Sequence, residues 1–201
     1  MIRGTIAKYA RKMTELGYST GDGHRILFKE KDGIYATAKG ADFADMRDED
    51  IVKLIEPGIP ERKVLASLGK VNAMVISEPE YCLECIRRGR SIPAVLDDFA
   101  QIIGVKAHPV YCSERAMTSA LKSSAGILVK PCRGCPDGFA VTVGRDPYEA
   151  YVAMTVMEKS AEVLLKADVL GGAKPLGPVK ANVERRIYLY RYSKPERKNN
   201  K

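Results

Sequence analysis

The chain has 201 residues, 45% of them hydrophobic and 29% charged, with a formal net charge of +8. That is enough for one well-packed domain, short for two, and ordinary for a soluble globular protein. No apolar run approaches the ~20 residues that span a bilayer, and "MIRGTIAKYARKM" has no apolar signal-peptide core, so the expectation is a cytoplasmic protein with no membrane contact.

In chain order, Ile6, Tyr9, Ala10, Met13 and Leu16 recur at helical spacing. They predict an amphipathic helix over 2–16, ended by Gly17. "TGDGH", residues 20–24, is a glycine-flanked turn that either lets backbone N–H groups approach an anion or simply turns tightly. "RILFKE" and "GIYATA" flank Lys31-Asp32-Gly33 and predict a hairpin with Asp-Gly as its turn. "VNAMVI", "GILVK" and "FAVTV" read as short buried strands. Asp146 is placed as an N-cap, Pro147 as the first helical residue and Glu149 as the closing member of a capping box. Behind them Ala150, Met154, Met157, Ala161, Leu164 and Leu165 form an apolar stripe of core type, stopped by Gly171-Gly172. The last residues, "YSKPERKNNK", have no apolar periodicity. They read as a disordered, solvated basic end rather than a nucleic-acid contact, because no nucleic-acid motif accompanies the charge.

The five cysteines are an odd number, and a reducing compartment keeps them as thiols or metal ligands. Four of them form two Cys-x-x-Cys motifs. Cys82 and Cys85 lie in "MVISEPEYCLECI", where a strand runs into a helix through Ser77-Glu78-Pro79, and Cys132 and Cys135 lie in "PCRGCPDG". Two sulfurs at this spacing chelate zinc or bind an iron–sulfur cluster from a single turn. The 46 intervening residues exceed compact zinc-ribbon spacing, so the alternative is a pair of small core residues and a separate local redox pair.

An ordered series of segments then carries a resemblance: "STGDGHRILFKEKDGIYATAKG", "MRDEDIVKL", "VNAMVISEPEYC", "SIPAVLDDFAQIIG", "GFAVTVGRDPYEAY" and "VLGGAKPL". Over 1–178 the chain resembles the class II aldolase/adducin family, which leaves 179–201 as a C-terminal extension. The resemblance implies a three-layer α/β fold: a mixed, largely antiparallel sheet with helices on both faces. It also implies a homotetramer with active sites between subunits, and lyase or epimerase chemistry on a small phosphorylated or anionic carbonyl compound.

Active members of that family hold zinc or another divalent ion through a His-x-His at a strand end and a third histidine before a glycine. The ion stabilises an enediolate while a carboxylate moves the proton. Here those positions fall on Ile76, Glu78 and Asp137, so the imidazoles are absent; His24 and His108 lie in other segments. What the resemblance leaves as a ligand set is Glu78 and Asp137 with Cys82, Cys85, Cys132 and Cys135, flanking the former metal position. Glu61 stands in for the catalytic carboxylate. The phosphate-binding loops correspond to Gly21 and Gly23 and to Thr37, Lys39 and Gly40, with Gly23 where asparagine is usual and Lys39 where serine is. Two functions stay open. The cysteines and glycine loops favour an enzyme, and the missing histidines favour a non-catalytic binding or scaffold protein with a structural cysteine metal site.

Overall fold

The structure, a computed structural model, describes residues 2–18, 24–56 and 60–191. Its short strands pair into a seven-stranded sheet, in the order β3-β2-β1-β4-β9-β8-β7. These are β1 (Arg25–Glu30), β2 (Gly33–Thr37), β3 (Ile51–Lys53), β4 (Ala73–Ser77), β7 (Pro109–Val110), β8 (Gly126–Val129) and β9 (Phe139–Gly144). Every pairing is antiparallel except β7 with β8, and β5 (Ile92–Pro93) pairs separately with β6 (Lys106–Ala107). The mixed, largely antiparallel sheet expected from the resemblance is thus present.

Side-chain alternation along the strands divides the core in two. On one face Ile26, Val75, Leu128 and Ala140 pack with α1 (Ile2–Glu15), α3 (Glu80–Arg87), α4 (Asp97–Ile102) and α6 (Pro147–Ala167). On the other Leu27, Met74, Ile76, Ile127, Val129, Phe139 and Val141 pack with α2 (Pro60–Ser67) and α5 (Glu114–Leu121). Burying both faces explains why β4 and β8 are buried at every position rather than alternately, and apolar apart from Ser77 at the end of β4. This sidedness decides which cysteines can meet.

The helix starts follow local chemistry, with two departures from expectation. Asp146 accepts from Glu149 N at 2.9 Å and Pro147 opens α6, as read from the sequence. The capping box does not close, because the Glu149 carboxylate accepts from Arg145 N at 2.9 Å and pairs with the Arg145 guanidinium. A nearby cation outcompetes the N-cap amide for the same oxygens. In the hairpin Glu30 pairs with Gly33, so the turn residues are Lys31 and Asp32, and Gly33 starts β2. Asp32 is then free to accept from Tyr35 Oη at 2.7 Å and from Lys53 Nζ at 3.0 Å, tying the turn to β3.

The C-terminal extension forms α7 (Pro178–Arg191) as far as it is described. It docks on α4 through buried Ala181 and through Arg185, whose guanidinium donates to the carbonyls of Gln101, at 2.7 Å, and Ile102. The expected disordered end, 192–201, lies outside the described residues.

Candidate functional site

One end of the sheet gathers the segments the resemblance singled out. β4 ends at Ser77, opposite Ala140 of β9, while Val129 at the end of β8 lies opposite Phe139. Glu78 therefore emerges beside the loop 130–138 that carries Cys132 and Cys135. Within that loop the two cysteines exchange backbone hydrogen bonds, each N–H donating to the other's carbonyl at 3.0 Å. Arg133-Gly134 forms the turn between them, and Gly134 takes the left-handed conformation (φ 88°) that glycine adopts without steric cost. The result is a miniature hairpin with two sulfurs side by side.

A third thiol joins them. β7 runs parallel to β8, with Val110 beside Val129 and Lys130 N donating to Val110 O at 2.9 Å. This register carries the exposed Cys112 to the side of Cys132, whose thiol interacts with those of both Cys112 and Cys135. Burial, followed by the Cys112 contact, pushes the Cys132 thiol up to about 11. Cys135 is also raised, by burial first and then by the negative charge of Cys132, Glu78 and Glu61. Glu61 reaches this point from the first turn of α2, the helix that covers this face.

Arg25 opens β1 opposite Ile76, two residues short of Glu78, and alternation with Leu27 puts it on the same face. Its Nε is buried and has no hydrogen-bond partner among the described residues. A buried guanidinium N–H without an acceptor is costly and is a natural point for an anion to bind.

Other expected site residues are placed elsewhere. Cys82 and Cys85 are buried in the core of the opposite face, under α6. There the Glu158 carboxylate accepts from Tyr81 N and Cys82 N, both at 2.8 Å, and so caps α3. Burial holds the Cys82 thiol well above its ordinary value and pushes Cys85 up to about 11. The two Cys-x-x-Cys pairs belong to opposite faces of the sheet, so the four-thiol site expected from them is not assembled. Asp137 is exposed rather than turned into the cluster.

Thr37 is fully buried and its hydroxyl accepts from Ile26 N at 3.2 Å, which makes it a strap between β1 and β2 rather than an open phosphate donor. Lys39 and Gly40 are exposed beyond β2, and Gly21 and Gly23 lie outside the described residues. Among the described residues, no three or more His, Cys, Asp or Glu side chains are arranged to hold a metal ion.

Two residues of this cluster escaped sequence reading. Cys112 was the odd cysteine, left over by the two motifs, and only the parallel β7–β8 pairing places it. Arg25 left a readable trace: in "RILFKE" it shares parity with the buried Leu27, so it is a cation on an inward-facing position.

No protein-family model matches the chain, and no curated protein matches it in sequence. Solved structures match it closely in shape. An L-fuculose 1-phosphate aldolase superposes with a TM-score of 0.78 over 93% of this chain and 95% of its own, at 14% identity. The L-fuculose-1-phosphate aldolase of Thermus thermophilus superposes with a TM-score of 0.72 over 88% and 98%, at 18% identity. An aldolase II superfamily protein of Pseudomonas syringae gives 0.69 over 93% and 83%, at 9% identity. At such identities the likeness is one of fold, and it extends over most of the chain. The chain has the class II aldolase fold.

Proposed function

We propose that the protein is an enzyme of aldolase or epimerase type, acting on a small phosphorylated or anionic carbonyl compound at the sheet end formed by Arg25, Glu61 and Glu78. The observation that carries this reading is the buried Arg25 Nε, which has no partner among the described residues and sits at the sheet end where β4 runs out into Glu78. A guanidinium offers a planar fork of donors matched to phosphate or carboxylate. Glu61, on the helix facing the sheet, is the carboxylate that moves a proton at the carbon next to the substrate carbonyl. Arg25 holds the anion and the negative charge that develops on that carbonyl oxygen.

The divalent ion expected from the resemblance does not fit the residues as they stand. Ile76 offers no donor, Asp137 is exposed, and the cysteine pairs are divided between two faces. Zinc, another divalent ion or an iron–sulfur cluster is therefore given no step.

Exchange of substrate C–H for deuterium in D2O reads this chemistry directly, because carbanion formation is common to aldol cleavage and epimerisation. Against a panel of ketose and aldose phosphates, with and without added zinc, at least one compound is expected to exchange. Glu61→Gln should slow that exchange by on the order of 100-fold with an unchanged melting temperature, while Arg25→Met should chiefly raise KM. Absence of exchange with every compound would favour the non-catalytic scaffold.

The homotetramer implied by the resemblance belongs to the same reading. It is supported by the exposed apolar row Val179, Val183, Ile187 and Tyr190 along one side of α7. Light scattering that gives only a 22.1 kDa particle would count against it.

A further inference from the structure

We propose that Cys112, Cys132 and Cys135 form a thiol–disulfide exchange site. Cys132 is its central sulfur, in contact with both of the others, and the exposed Cys112 is its entry point. Cys132 and Cys135 occupy a hydrogen-bonded antiparallel pair, for which Cα atoms stand about 5.5 Å apart. That lies inside the span of about 4.4–6.8 Å that a disulfide bridges. The glycine at 134 and the absence of regular strand in the loop let the turn adjust as the sulfurs join. Cys82 and Cys85, with no exposed surface, provide an internal contrast of the same spacing.

The oxidant is a low-molecular-weight disulfide of the glutathione type. The Cys112 thiolate attacks one of its sulfurs, the S–S bond breaks, and one small thiolate leaves, which gives a mixed disulfide on Cys112. The Cys132 thiol then loses its proton to solvent and attacks the Cys112 sulfur, expelling the second small thiolate. In total two protein thiols lose two electrons and two protons, and one small disulfide is reduced to two thiols. Attack by Cys135 on the Cys132 sulfur moves the bridge to Cys132–Cys135 and restores Cys112. Burial makes Cys132 a poor leaving group, so the closed bridge resists reduction. None of these steps needs a substrate or turnover, so the site stands or falls independently of the function proposed above.

The test uses the full chain, treated with a chelator, freed of reductant and exposed to oxidised glutathione, then quenched in acid and followed by thiol titration in denaturant and peptide mapping. The expected product has lost two of its five titratable thiols, with a bridge from Cys132 to Cys112 or Cys135 and with Cys82 and Cys85 still reduced. Cys112→Ser should slow bridging by at least about tenfold, and Cys132→Ser should abolish it with the melting temperature preserved. The proposal is overturned by five persisting thiols, by glutathione left unresolved on Cys112, by a Cys82–Cys85 bridge, or by an unchanged rate in Cys112→Ser.

Discussion

Replacing Gly138 with alanine is expected to destabilise the protein by about 3 kcal/mol or more and to disorganise the cysteine cluster. Gly138 has φ 75°, in the left-handed region, where a non-glycine residue costs on the order of 1 kcal/mol. Space adds a second penalty. A Cβ there would be driven into the carbonyl oxygen of Val129 and would sit 3.1 Å from Ile86 Cγ2 and 3.2 Å from the Lys130 carbonyl carbon. Two of these neighbours are backbone at the end of β8, which cannot yield without shifting the strand. The same residue donates from its N–H to Cys135 O at 3.2 Å, so a shift passes directly into the Cys132–Cys135 hairpin.

In a domain of this size the melting temperature should fall by roughly 6–12 °C, and bridging by oxidised glutathione should slow. Gly134→Ala is the control, because its φ of 88° carries the same kind of strain but no atom lies within 4 Å of the added carbon. Its loss should stay near about 1 kcal/mol. Equal unfolding midpoints for the two variants in urea would refute the steric account.

The second large effect is expected on the opposite face, at Glu158. Pro79 occupies the N-cap of α3 and has no side chain able to accept a hydrogen bond. Glu158, from the middle of α6, supplies the acceptors instead, taking both Tyr81 N and Cys82 N at 2.8 Å while only 6% exposed. Glu158→Ala leaves two amides unpaired and a void, for an expected loss of about 2–3 kcal/mol. Glu158→Gln keeps the volume and one acceptor oxygen and should lose less.

The pH dependence separates charge from shape. Burial raises the Glu158 carboxyl above its ordinary 4.5, against the pull of the two amides, and Glu80 adds to the rise. The folded protein therefore binds this proton more readily than the unfolded chain does. Stability contributed by the protonated form is complete below about 4.5 and is lost as pH climbs through the raised folded value. Tyr18 and the Cys82 and Cys85 thiols also feel Glu158, but all three are held above the pH range concerned and stay neutral through it. Urea titrations of the wild type at stepped pH should show this decline above 4.5, and in Glu158→Gln it should be missing. A wild type that instead gains stability over that interval, relative to the variant, would contradict the burial argument.

Much of the local structure was determined by the sequence alone, because it depends on contacts between near neighbours. Apolar spacing marked α1 and α6, Asp146-Pro147 marked where α6 begins, and the apolar runs marked β4, β8 and β9. The order of segments also carried the resemblance whose fold the solved structures share.

Alternation along a strand, however, says only that neighbouring residues face opposite ways. Which face meets which helix is decided when the sheet assembles. That choice sent Cys82 and Cys85 beneath α6 and Cys132 and Cys135 to the other face, so two motifs of identical spacing ended in different environments. It likewise brought Glu61 and Glu78 to one sheet end with Cys132 and Cys135, and left Asp137 in solvent. Cys112 reached Cys132 through the one parallel pairing in the sheet, and Glu158 reached the start of α3 from 76 residues away. Contacts at such separations leave no periodicity in the chain; they form only when loop closure is offset by burial of the whole core, and so only the tertiary structure could decide them.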